Sequence, residues 1–399
     1  MPKRDEPTPP EDSTQPGDTP AGEVSERGSF DPGPIDQADP FVRCKVDPAI
    51  ERHRIGGFRF PLGVYPVEEL GPKPGYTLDF ESADGGDEEA GEWEEWPDRY
   101  VFDAVLTIER VPNLVRCLLS MMPPKVFPIL DVLGHDAFRE IDPYVAYDTV
   151  GLDRVIEALK QVPAFFYEDG LCGFGAMSEE PFFYFFVDEH KIVTVRVEAG
   201  LKEQVERLMA AFDLEQNEDA AGVDAAAHEH RSVLVAPEDD PRMLGFDEVV
   251  ERLRDDWRLV LNINPETNVD DEDRDLGPTG WWCRVRVEVP VKAEQAPEGG
   301  VEPETLAETR YVEVVLVAEC LREAEEEAIL AAEKHAGLPS SALKVESLDE
   351  DEEDGLVPPF VVFADRMSED QLETQRKSAP KRKGPATGPG MIISVKWAD

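Results

Sequence analysis

The residues able to do chemistry are few and scattered. Cys172 lies in Gly170-Leu171-Cys172-Gly173-Phe174-Gly175, and His190 follows close behind. A thiol becomes a nucleophile when a histidine takes its proton. A strand meander over this stretch would set the two side by side. Cys172 and His190 are therefore the candidate catalytic pair, for a hydrolase or transferase. The competing reading is a buried small hydrophobe, with glycines making room for neighbouring phenylalanines, and the burial habits of free cysteine favour it. The same glycines form no phosphate loop, because no G-K-[ST] follows.

Two patterns suggest metal. Asp271, Asp273 and Asp275 alternate as in the first half of a calcium loop. That loop then requires glycine where Leu276 stands and glutamate where Trp282 stands, so a solvated acidic loop is the favoured reading. His228-Glu229-His230 puts two imidazoles on one side of a strand. No third ligand is spaced to complete that site, and the surroundings are alanine-rich, so metal binding there is not expected. No nucleotide, zinc-protease or serine-hydrolase motif occurs, and no cofactor is expected.

Two further groups suggest contacts. Arg376, Lys377, Lys381, Arg382 and Lys383 form a basic cluster without an acid. It could meet nucleic acid or an anionic surface, but docking on the chain's own acidic loops is favoured. Ile392 and Trp397 lie in Met391–Trp397, which reads as a strand able to join a sheet edge. The aromatic run around Phe165–Tyr167 and Phe182–Phe186 reads as sheet core.

The elements that must position these groups form an α+β fold: two antiparallel-sheet domains with helices on one face, the second ferredoxin-like in part. Residues 1–40, with nine prolines and ten acids, read as a disordered tail. Residues 41–99 hold short strands and an acidic loop, with ten acids and no base over 79–98. The first domain is 100–215. Pro112 opens a helix with Leu114, Val115, Leu118, Leu119 and Met122 on its apolar face. A second helix carries Leu152, Val155, Ile156 and Leu159. Ala164–Glu168 reads as a strand entering an Asp169-Gly170 hairpin. Phe182–Val187 reads as a central strand, apolar on both faces, and Val193, Val195 and Val197 share one face of the next. A linker over 216–240 precedes the second domain, 241–366. This contains a helix around Phe246–Leu253, strands at 259–263, 281–289, 311–318, 343–348 and 360–364, and a helix over 319–336 capped by Gly337. Residues 367–390 read as a basic flexible linker, before the strand in 391–399.

Composition bounds the function. The 399 residues carry a formal charge of −47, which excludes broad phosphate-backbone binding by the body of the protein. No apolar run reaches the ~18 residues of a membrane span. The N-terminus has a basic pair without an apolar stretch after it, unlike a secretory signal. The five cysteines show no C-x-x-C spacing, as in a reducing cytoplasm. The expected function is non-enzymatic: an acidic binding protein that contacts another protein, either basic or with an exposed sheet edge. The alternatives are a cysteine- or metal-dependent hydrolase or transferase, and acidity that serves only solvation in a salty cytoplasm.

Overall fold

Alternating valines and phenylalanines build the larger sheet. In Val193–Glu198, Val193, Val195 and Val197 are wholly buried, and Thr194, Arg196 and Glu198 are half-buried on the opposite face. The neighbouring Phe183–Val187 repeats the pattern, with Phe183, Phe185 and Val187 inward. The computed structural model describes residues 41–83, 97–236, 240, 242–290, 307–339, 358–378 and 390–398. All of them belong to one contact unit, residues 38–399. The expected disordered tail, the 343–348 strand and the acidic run 346–354 lie outside the described residues.

The larger sheet has nine strands. Eight run in the order Leu259–Leu261, Ile141–Ala146, Lys125–Leu133, Cys172–Ser178, Phe183–Val187, Val193–Glu198, Arg99–Val105 and Gly75–Glu81. All pair antiparallel, and Val150–Gly151 joins the Lys125–Leu133 strand. Helices Val111–Leu119, Leu152–Gln161, Lys202–Ala211 and Phe246–Trp257 contribute to the same core, with Leu114, Leu118, Val155, Val205 and Trp257 nearly or fully buried. Each such large apolar side chain contributes about 1.5–3 kcal/mol through its removal from water. Pro112 sits in the first turn of its helix, where a missing N–H costs nothing.

Several segments depart from the sequence reading. Glu369–Ser378, inside the expected flexible linker 367–390, is a helix. The expected linker 216–240 carries the strands His228–His230 and Leu234–Val235, paired with Val64–Pro66 and Lys45–Val46. Leu259–Leu261 joins the larger sheet and not a second-domain one. Pro163–Glu168 is a helix and not a strand. Pro163 starts it, and every side chain from Ala164 to Glu168 is buried, so the period-2 contrast of a half-wet strand never arises. Phe165 and Phe166 thereby reach the core, where Phe166 stacks on Trp257 at 5.7 Å. Asp169 is extended after this helix, and the chain passes through Gly170 directly into Cys172–Ser178. Phe183–Val187 is central as expected, but Tyr184 and Phe186 on its second face are only half-buried.

The second sheet has four antiparallel strands in the order Phe360–Met367, Thr279–Pro290, Ala307–Ala318 and Met391–Trp397. Helix Leu321–Ala336 packs Ala324, Ala328 and Ala332 against it, and Gly337 caps the helix at φ 71°. Ala307–Ala318, this helix and Phe360–Met367 form a split βαβ unit, since Thr279–Pro290 lies between its two strands. The fold is α+β. Helix Phe246–Trp257 links the two sheets: Arg254 lies over Tyr144 of the larger sheet and donates to Val362 O of the smaller one at 2.7 Å.

Residues 168–170 tie the first short strands to this core. Glu168 accepts two bonds from Arg52, at 2.7 and 2.9 Å, and one from Leu62 N. Asp169 is wholly buried and accepts from Leu171 N, Ser232 Oγ and Val233 N at 2.8–2.9 Å. Gly170 N donates to Arg231 O, and Arg231 N donates to Gly63 O. Buried donors stranded without an acceptor cost roughly 1–3 kcal/mol each. Replacing Asp169→Ala should therefore lower unfolding free energy by about 3 kcal/mol, read as a shift in urea midpoint. A loss under about 1 kcal/mol would show that these bonds do not hold the segment.

Candidate metal centre

Three of the six histidines meet at one point. His228 and His230 occupy alternate positions of the strand His228–His230, which pairs with Val64–Pro66. Alternation puts both imidazoles on one side and leaves Glu229 exposed on the other. The third, His190, comes from the turn between Phe183–Val187 and Val193–Glu198. That turn is closed by Lys191 N donating to Asp188 O, with Lys191 in the left-handed region at φ 67°. The Nε2 atoms of His190 and His228 are 2.9 Å apart, and those of His228 and His230 are 3.0 Å apart. The three ring centroids are mutually 4.8 Å apart, with planes crossed at 69–79°.

The partners of the other ring nitrogens decide what this cluster is. His228 Nδ1 lies 2.7 Å from Ala226 O, and His230 Nδ1 lies 2.9 Å from Gly170 O. A carbonyl only accepts, so both Nδ1 atoms carry the proton and donate. His190 Nδ1 lies 3.1 Å from Asp188 Oδ2, where an ionised carboxylate imposes the same tautomer. When all three rings are neutral, with the proton on Nδ1, each Nε2 presents a lone pair. Three lone pairs then point into one small space, which is repulsive unless a cation fills it. A tetrahedral zinc with Zn–N bonds of about 2.0–2.1 Å holds its nitrogens roughly 3.3 Å apart, close to the observed spacing. An Nδ1–H bonded to a carboxylate or carbonyl is the usual outer support of a metal-bound histidine.

Surrounding charge favours a cation. Burial disfavours protonated His190, but the hydrogen bond to Asp188 and the charges of Asp188 and Glu189 outweigh it and raise its pKa. Burial and the charge of His190 lower His230 to about 4. On the Lys125–Leu133 strand, burial and the charge of Glu189 raise Asp131 to about 6. His230 also borders a cleft of about 610 Å³, whose other walls include Leu133, Leu171, Arg139, Asp271 and Arg274.

A backbone interlock positions His230. A Cβ on Gly170 would lie 2.1 Å from Gly63 O, and one on Gly63 would lie 2.0 Å from Gly170 N. Only glycine at both positions lets the two chains approach this closely. That approach places Gly170 O against the His230 ring.

The remaining candidate residues lie elsewhere. Cys172 and His190 form no dyad. Cys172 is wholly buried, and its thiol donates to Phe165 O at 3.0 Å, while the His190 ring is held by Asp188 and His228. Burial pushes the Cys172 thiol up to about 12, so it is not a thiolate at neutral pH. Asp271, Asp273 and Asp275 do not converge: among the described residues, the only groups of three possible ligands are His190, His228, His230 and Asp188, Glu189, His190. Asp275 instead accepts from Gly277 N, and Asp271 lines the cleft beside His230.

Arg376 and Lys377 are exposed on helix Glu369–Ser378, where Lys377 pairs with Glu373 at 3.0 Å; Lys381, Arg382 and Lys383 lie outside the described residues. The strand carrying Ile392 and Trp397 fills the edge of this chain's own second sheet. There Trp397 lies 3.9 Å from the Arg310 guanidinium and packs beside His335. No described helix is long and apolar enough to cross a membrane.

The thiol environments give a direct expectation. Cys44, Cys172 and Cys283 are buried, whereas Cys117 and Cys320 are partly exposed. A thiol reagent should label at most Cys117 and Cys320 in the native protein, and all five only after denaturation. Fast native labelling of Cys172 would contradict this placement. Compared with known protein families, curated proteins and solved structures, the chain matches none of them.

Proposed function

We propose that the protein binds one divalent transition-metal ion, of the zinc class, through His190, His228 and His230, and uses it to activate water for hydrolysis in the cleft beside His230. The observation that carries this reading is the convergence of three Nε2 atoms, with the Nδ1 of each ring held by an oxygen acceptor. Three neutral imidazoles leave the ion its full double charge. A fourth position taken by water completes a tetrahedron, and such an ion lowers the pKa of bound water toward 7. A structural zinc site has four protein ligands, whereas a His₃ set beside a cleft follows the catalytic pattern. The excess of acid along the chain suits this reading, since it concentrates divalent cations around the protein.

Titration with Zn²⁺ by calorimetry should give one tight equivalent, and Co²⁺ should give the intense visible bands of a tetrahedral site. His190→Ala, His228→Ala and His230→Ala should each weaken binding by roughly 100-fold or more through loss of one of three ligands, with Glu229→Ala unchanged. Bound metal should raise Tm, because it binds only the folded arrangement. Equal Zn²⁺ affinity in the native chain and the triple-alanine variant would sink the metal centre. Metal binding without ester or phosphoester hydrolysis would leave the centre standing and remove the hydrolase.

A further inference from the structure

A second site lies across the Gly134–Asp136 loop from the cleft beside His230. Five charged side chains gather where loop residues 134–142 meet the Phe360–Met367 strand: Asp136, Arg139, Asp142, Asp365 and Arg366. Asp136 is claimed by Arg366, whose Nε lies 3.0 Å from one oxygen and whose backbone N donates to it at 2.8 Å. Asp142 is claimed by Arg139 Nε at 2.5 Å, and Arg139 Nη2 lies 3.6 Å from Asp136. Arg366 Nη1 is spent on Asn268 and on Val269 O. Three carboxylates thus share two guanidinium groups, and the one left over is Asp365.

Asp365 is only 2% exposed, and neither of its oxygens has a hydrogen-bond partner. The His135 backbone N–H and the Arg139 charge approach closely enough to ease the ionisation of Asp365 in part, without either completing a hydrogen bond to its oxygens. Asp142 lies close to it: a Cβ on Gly134 would meet Asp142 Oδ2 at 3.3 Å and Asp365 Oδ1 at 3.4 Å. A buried ionised carboxylate with no partner is among the costliest groups a fold can hold. Burial and the like charges of Asp142 and Asp136 push Asp365 up to about 7, so it exchanges its proton near neutrality.

This residue borders a cavity of about 610 Å³. Trp282, the register partner of Asp365, and Met367 supply an apolar wall. His135 stands edge-on to the Trp282 ring at 6.4 Å. Across the opening, helix Glu369–Ser378 presents Asp370 and Gln371, and buries none of its own side chains fully. The volume suits a small organic molecule, and binding pockets of that kind combine apolar walls with a few placed polar groups. An aromatic face beside an unpaired carboxylate selects a positively charged group.

We infer that this cavity binds an organic monoamine, an ammonium group carried on an aromatic or alkyl body, with the body against Trp282 and the ammonium paired to Asp365. The site is independent of the histidine cluster and stands whether or not that cluster binds metal. A bound ammonium brings the charge count to zero and gives Asp365 its missing donors.

The test uses 2-phenylethylamine with two controls of matching shape, 2-phenylethanol and phenylacetate, measured by calorimetry at pH 8 on the full chain. The amine should bind at least 10-fold more tightly than the alcohol, with no binding of the carboxylate. Asp365→Asn should remove the amine's advantage and leave the alcohol unchanged. Equal binding of amine and alcohol, an unchanged amine affinity in Asp365→Asn, or no amine binding at millimolar concentration would each overturn the proposal. Stability provides a second reading. The folded pKa of Asp365 is raised above its unfolded value, so the folded state holds the extra proton between about 4 and 7. Its ionisation therefore costs stability that grows over that window and is complete above 7. The ligand-free Asp365→Asn variant should melt higher than the native chain at pH 8, with the difference gone at pH 4. A lower melting temperature at pH 8 would mean that Arg139 already pairs with Asp365, and would also overturn the site. The groups facing Asp365 are His135, Asp136, Arg139, Asp142, Arg366 and Asp370, and none of them is altered by this substitution.

Discussion

The Asp169 carboxylate is the point on which the rest of the arrangement turns. It sits between the Pro163–Glu168 helix and the Cys172–Ser178 strand, wholly buried, and takes its donors from two separate stretches of chain. One stretch is its own, at Leu171; the other is Ser232–Val233, immediately after the histidine strand. Burial raises its pKa despite those bonds. The fold therefore accepts a desolvation cost to pin Ser232–Val233 to the core. Because Glu168 holds Arg52 and Leu62 while Gly170 meets Gly63, three successive residues lock three segments together. The imidazoles of His228 and His230 inherit their position from this lock and not from helix packing.

The same lock explains why the two strand histidines present Nε2 inward. Gly170 O and Ala226 O are backbone acceptors, fixed in place by the glycine crossing and by the turn at Val223–Ala225. A backbone carbonyl cannot change role as a side chain can, so the tautomers are set by the fold itself. His190 differs. Its partner is Asp188, whose other oxygen accepts Ile192 N and so shapes the turn that carries the ring. One carboxylate thus both bends the chain and orients the imidazole.

Much of the fold was legible from local pattern, because alternation and helical spacing act over a few residues. Val193–Glu198, Thr279–Pro290, Leu152–Gln161 and the Gly337 cap all announce themselves this way. Pro163–Glu168 was misread because five consecutive buried side chains carry no period. The candidate metal centre was half legible. His228-Glu229-His230 shows the right spacing, but the third histidine lies 38 residues before His228 in an unrelated turn, and the carbonyl that holds the His230 ring, Gly170 O, lies 60 residues from it. Proximity in sequence drew His190 toward Cys172 instead, although strand pairing turns that thiol into the core, where it bonds to Phe165 O. Asp365 gives no sequence signal at all, because its peculiarity is a missing partner.

The two sites break the ordinary rules of a folded interior in complementary ways. In one, three imidazole Nε2 atoms crowd together, His228 Nε2 lying 2.9 and 3.0 Å from the other two. In the other, a carboxylate is buried without a cation. Each arrangement is unfavourable for the isolated chain, and polar satisfaction elsewhere in the core, as at Asp169, shows that the fold can meet such demands when only stability is at stake. Local inconsistencies of this sort concentrate where a ligand completes the structure. The loop at Gly134–Asp136 lies between them: Gly134 and Asp136 border the cleft beside His230, and His135 borders the Trp282 cavity. Both proposals place a cation at these sites, and a chain of net charge −47 favours cations of either kind near them.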